Sequence, residues 1–90
     1  SKKGGIDIYM AVILEDYDAM YVPDFNPVTG RFFVPLDNAS DITLADLATE
    51  LNGYNNRVWF EGRIYIADGV KKQMDPVTYE WSAVLNVRRV

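Results

Sequence analysis

Glu15, Asp16, Asp18 and Asp24 form the densest run of ionisable groups in the chain, and they mark how little chemistry it can do. Carboxylates at that spacing could hold a hard cation through oxygen ligands. The run lacks the turn glycine and the closing glutamate of a calcium loop, so it reads as a solvated, self-repelling loop with no metal. The sequence contains neither histidine nor cysteine. That removes the usual proton shuttle near neutral pH, the thiolate nucleophile and the commonest soft metal ligands together. Ser40 and Ser82 therefore have no imidazole partner, which excludes a serine–histidine triad. Lys71 and Lys72 follow no glycine-rich loop that opens a helix, so no nucleotide cradle is present. A protein without catalysis or cofactor is the expectation.

A second constellation points to binding. Arg57, Trp59, Arg63 and Tyr65 alternate along one strand-like segment. If that segment is one bent strand, all four side chains point the same way, and two aromatic rings stand beside two planar cations. Such a stripe suits a protein interface, whose energetic centres favour Trp, Tyr and Arg. It also suits single-stranded nucleic acid, where bases stack on rings and phosphates pair with cations. The alternative is that the helix or a loop buries both rings. Asn86-Val87-Arg88-Arg89-Val90 keeps strand-like alternation to the end of the sequence, so Val87, Arg88 and Arg89 are candidate edge-strand contacts for a second subunit.

The elements that must carry these residues are legible in outline. Residues 1–5 read as a polar, glycine-rich lead-in, followed by one domain over 6–90. Ile6 to Leu14 reads as a central strand, covered on both faces toward its end. Met20-Tyr21-Val22 and Arg31-Phe32-Phe33-Val34 flank the turn sequence Asn26-Pro27-Val28-Thr29-Gly30, with Pro23 and Pro35 limiting the strands. Asp75-Pro76-Val77-Thr78 echoes that turn. A helix over about 43–52 is signalled by Thr43 as cap, Asp46 three residues on, and Ile42 and Leu47 as a staple. Leu44, Leu47, Ala48 and Leu51 share one face, and Gly53 reads as its left-handed stop. Val58, Phe60, Ile64 and Ile66 oppose the stripe, with Gly62 as a bend. A tight Glu61-Gly62 hairpin is the competing reading, and it would put Phe60 and Arg63 on one face. Asp68-Gly69 reads as a second turn before a strand over 70–74, and a last strand runs from Tyr79 to about Val87. The fold class is α+β, mostly antiparallel, a small bent sheet or partly open barrel in the order β-β-β-α-β-β-β.

Composition sets the remaining bounds. Ninety residues, 49% hydrophobic with two tryptophans, are enough for one modest core. No apolar run is long enough to span a bilayer, and no secretion signal is evident, so no membrane partner is expected and a cytoplasmic or viral-particle location fits. Asn38-Ala39-Ser40 matches the glycosylation pattern and is read as chance. Charge is uneven: residues 4–56 carry nine acids against Arg31 alone, whereas residues 57–90 carry six bases against four acids. A dipolar chain of this kind suits self-association or a charged protein partner. The expected function is protein–protein association within a larger assembly, using the aromatic and arginine strand face. An OB-like single-strand nucleic-acid binder is the alternative, disfavoured by the net charge of −4. An acidic inhibitor of a nucleic-acid-binding enzyme is the third reading.

Overall fold

The computed structural model describes residues 10–37 and 40–90. The lead-in over 1–5 and most of the first expected strand lie outside the described residues. Seven strands and one α-helix follow in order: β1 (Val12–Ile13), β2 (Met20–Pro23), β3 (Thr29–Leu36), α1 (Ser40–Gly53), β4 (Arg57–Phe60), β5 (Arg63–Ala67), β6 (Lys71–Met74) and β7 (Trp81–Arg89). A 3₁₀ turn over Leu14–Tyr17 separates β1 from β2. The sheet order is β1-β4-β5-β7-β3-β2, with β6 also bonded to β7. All pairings are antiparallel except β1 with β4. The α+β class and the bent sheet expected from sequence are present, as an open half-barrel.

The curl is visible in the aromatic interior. Tyr21 sits on β2 at one end of the strand order, yet its ring centroid lies 5.2 Å from that of Tyr65 on β5 and 6.4 Å from that of Phe60 on β4. Phe32 packs edge-on against Phe60 and Tyr65 at 5.0 and 5.2 Å. Only a sheet bent well out of plane brings those strands together. Gly30 makes the approach possible, because a Cβ there would stand 2.8 Å from both the Tyr21 ring and its hydroxyl.

The helix covers the concave side. Leu47 and Leu51 are buried in one cluster with Val12, Leu14, Phe32, Val34, Val58, Leu85 and Val87. Removing four-carbon side chains from water is worth roughly 2 kcal/mol each, which a short helix needs because it is marginal alone. Three local details differ from expectation. The helix starts at Ser40, so Thr43 lies inside it, and Ile42 is 67% exposed rather than stapled to Leu47. Its stop is not Gly53 but Asn55 and Asn56, both left-handed at φ 56° and 61°, with the Asn56 N–H donating to the Leu51 carbonyl at 2.7 Å. Among the described residues β1 lies at the end of the strand order rather than centrally, although Val12 and Leu14 are buried.

Two turns share one device. Asn26 Oδ1 accepts from the Val28 N–H at 3.2 Å, and Asp75 Oδ1 accepts from the Val77 N–H at 2.7 Å. The echoed sequences are thus two side-chain-bridged turns, one between β2 and β3, the other between β6 and β7. Asp68-Gly69 is not a turn. Ala67 pairs with Val87 and Lys71 with Val84, so residues 68–70 oppose only residues 85–86. β5 and β6 are therefore one strand interrupted by a bulge, with Gly69 at φ 88° absorbing the extra residue.

Candidate functional site

The segment bearing the stripe folds as a hairpin, not as one bent strand. Glu61 and Gly62 have φ of 47° and 81°, and Phe60 pairs with Arg63, Trp59 with Ile64 and Val58 with Tyr65. Two successive left-handed residues match the strong twist of paired strands and close the hairpin in two residues. The Glu61 N–H donates to a Glu15 carboxylate oxygen at 2.8 Å, tying the turn to the 3₁₀ segment. This register reverses the parity of everything after the turn. Val58, Phe60, Arg63 and Tyr65 share the concave face; Arg57, Trp59, Ile64 and Ile66 share the convex one.

The expected stripe is therefore divided. Tyr65 is only 4% exposed and belongs to the core. Burial, and next the Tyr21 hydroxyl beside it, push its phenol up, against the opposing pull of Arg63 and Arg89. Arg63 sits at the exposed hairpin tip on the concave side. Arg57 is exposed and Trp59 half-buried on the convex side, where they remain neighbours of each other but not of Tyr65. The expected edge strand is also corrected. β7 is the most connected strand in the sheet, bonded to β3 on one side and to β5 and β6 on the other. Val87 is buried between Gly30 and Ala67, and Arg89 pairs with Tyr65 on the concave side, its Nε buried without a hydrogen-bond partner among the described residues. Arg88 points outward, exposed, between Thr29 and Ile66.

What the register assembles instead is a convex face with no helix or second sheet over it among the described residues. Rows can be traced across it by pairing. Ile13, Trp59 and Ile64 form the first; Arg57, Ile66, Arg88 and Thr29 the second. Asn86, Arg31 and Val22 form a third, and Lys71, Val84, Phe33 and Met20 a fourth. An antiparallel sheet with one face in water ordinarily alternates apolar inward and polar outward. Here the first and fourth rows are largely apolar, while the second and third, and the row Gln73, Ser82 and Pro35 beyond them, are mixed or polar. Val84, paired with Phe33 and Lys71, is only 3% exposed, while Met20 is 60% exposed. The Arg31 guanidinium carbon lies 5.3 Å from the Phe33 ring centroid, a planar cation laid over a ring.

Charge is sorted by element. Among the described residues every lysine and arginine lies in a strand, and no aspartate or glutamate does. Arg31, Arg57, Lys71 and Arg88 all fall on the convex face. The carboxylates are in the loops, the 3₁₀ segment and the helix. Tyr17 reports their concentration on the helix side: burial first, then Glu50 with its charge and hydrogen bond, then Asp46 and Asp16, push its phenol up to about 12. No three described carboxylates are grouped as a metal site would need. An open hollow of about 440 Å³ at one end of the convex face runs past Ile66, Asn86 and Arg88, with Asp24 and Asp68 at its rim.

Arg31, Phe33, Ile64, Ile66 and Val84 were not among the residues singled out from sequence. For Ile64 and Ile66 the signal is the Glu61-Gly62 pair read as a two-residue turn, which shifts them to the side of Trp59; Arg31, Phe33 and Val84 are placed by the pairing of β3 with β7. Compared with known protein families, curated proteins and solved structures, the chain matches none.

Proposed function

We propose that this domain is a non-catalytic association module whose convex sheet face docks a protein surface of mixed apolar and acidic character. The observation that carries the reading is the row of apolar residues left outward on that face, interleaved with four cations and no carboxylate on the strands. Contiguous apolar surface on a small domain marks an interaction site. Depletion of acids with enrichment of Trp, Phe and Arg is the composition of an interface core. The arginines would fix register against carboxylates, and Trp59 and Ile66 would supply buried area, at about 25 cal/mol per Å² before ordering costs. A structural or accessory place in a larger assembly, cytoplasmic or in a viral particle, suits such a module.

Single-stranded nucleic acid is the second reading, favoured by Arg57 and Arg88 standing near Trp59. It accounts less well for the aliphatic rows, because bases stack on rings, and the Phe33 ring already lies under Arg31. The experiment uses Trp59 as the only indole, in a Trp81→Phe background. A soluble peptide of alternating glutamate and leucine should shift its emission saturably, and Arg57→Ser with Arg88→Ser should abolish the shift. An oligothymidylate that shifts the emission while the peptide does not would overturn the proposal in favour of nucleic acid.

A further inference from the structure

We infer that the occupant of the convex sheet face is the acidic helix side of a second copy of this chain, in head-to-tail contact; this rests on the association reading above and names its partner. The molecule carries both halves of the contact on different sides. α1 turns Leu47 and Leu51 into the core and leaves Ile42, Ala45, Asp46, Thr49 and Glu50 exposed at helical spacing on the other side, with Asn52 and, against expectation, Ala48 exposed as well. That stripe carries two carboxylates and one large apolar side chain, Ile42, where the sheet face carries cations among apolar residues.

The complementarity is specific in sign and in character. Arg31, Arg57, Lys71 and Arg88 lie on strands that carry no carboxylate, with Asp24 and Asp68 only at the rim of the hollow beside Arg88, and α1 contains no lysine or arginine beside Asp46 and Glu50. Tyr17 lies beside these carboxylates: burial first, then Glu50 and Asp46, raise its phenol. Ile42, 67% exposed, offers an apolar anchor for the rows around Trp59 and Ile66. Because the helix covers the concave side while the cations face the convex one, the two surfaces cannot meet within one molecule. A contact between two different surfaces leaves one of each unfilled at the ends, so it propagates into a ring or an open chain rather than stopping at a symmetric pair.

Sedimentation velocity tests this on the whole chain from ~10 µM to ~1 mM, the range in which weak contacts are populated. Mass should rise with concentration past that of two copies, and the apparent dissociation constant should rise ~10-fold or more between ~50 and ~500 mM salt. Arg57→Ser with Arg88→Ser removes one half of the contact, and Asp46→Ser with Glu50→Ser removes the other. Each variant alone should stay monomeric with an unchanged circular dichroism spectrum. Mixed in equal amounts, they should form a 1:1 dimer and nothing larger, because one intact pair of surfaces remains between them. A wild-type chain monomeric throughout, a mixture that stays monomeric, or a symmetric dimer untouched by the helix substitutions would overturn the inference. If the chain is monomeric while the glutamate–leucine peptide still shifts Trp59 emission, the partner named here is wrong and the association reading stands. If the peptide also fails, both fall.

Discussion

Two tyrosines illustrate how single groups are placed under load in this fold. The Tyr21 hydroxyl is buried and makes no well-formed hydrogen bond among the described residues, although it lies beside the Tyr65 phenol and helps to raise it. A buried polar atom left unpaired costs about 1–3 kcal/mol. Tyr21→Phe keeps the ring over Gly30 and removes that cost, so we expect the variant to be more stable by about 1 kcal/mol in chemical denaturation. A lower denaturation midpoint would show that the hydroxyl is paired after all. Tyr17 governs alkaline behaviour. Its phenol titrates at about 12 in the fold against an ordinary 10.0, so the neutral form is favoured by folding. The resulting stability is fully present below pH 10 and is lost as pH rises through about 12. Stability measured across that window should fall more steeply for the wild type than for Tyr17→Phe. Equal slopes would contradict the carboxylate environment described for that side chain.

At the scale of the element, the decisive object is the β4–β5 hairpin. Gly62 has φ 81°, where a side chain is strained, so Gly62→Ala should cost about 1 kcal/mol or more and loosen the hairpin. An unchanged unfolding midpoint would count against the two-residue turn. This hairpin also shows what the sequence did and did not reveal. The alternation over Arg57 to Ile66 is equally regular read as one strand or as two, and only the backbone conformation at Glu61 and Gly62 decides. Choosing the bent strand placed Tyr65 beside Trp59; the turn places Ile64 there. The helix was readable because Leu44, Leu47 and Leu51 repeat on one face, a local signal. Its ends were not, because Ile42 and Asn56 are set by what the helix meets. The pairing of β7 on both edges was illegible for a further reason: strand order depends on contacts between distant residues, which periodicity within a strand does not encode.

At the scale of the whole molecule, the sequence asymmetry of charge becomes a division between elements rather than between halves. Among the described residues strands hold the cations and the loops, 3₁₀ segment and helix hold the acids, and four of the seven strand cations, Arg31, Arg57, Lys71 and Arg88, face the convex side. The sheet itself is uneven in strength. β7 is bonded along both edges, whereas β2 and β6 each present an outer edge that no described strand completes. Amide hydrogen exchange should therefore be slowest over Ala83–Val87 and fastest, among the strands, over Lys71–Met74. The reverse ranking would contradict the strand order. Lys71 and Lys72 sit on the weaker edge, where charge discourages stray pairing with another chain.

The hub position of β7 also orders events in time. It is the last of the seven strands to leave the ribosome, yet β3, β5 and β6 all find their partner in it. Until residues 81–89 are translated, only the two local hairpins and a marginal helix can form, and the concave aromatics stay wet. Folding of this domain thus waits on residues 81–89. A chain lacking residues 81–89 should expose the concave aromatics and aggregate more readily than the whole domain.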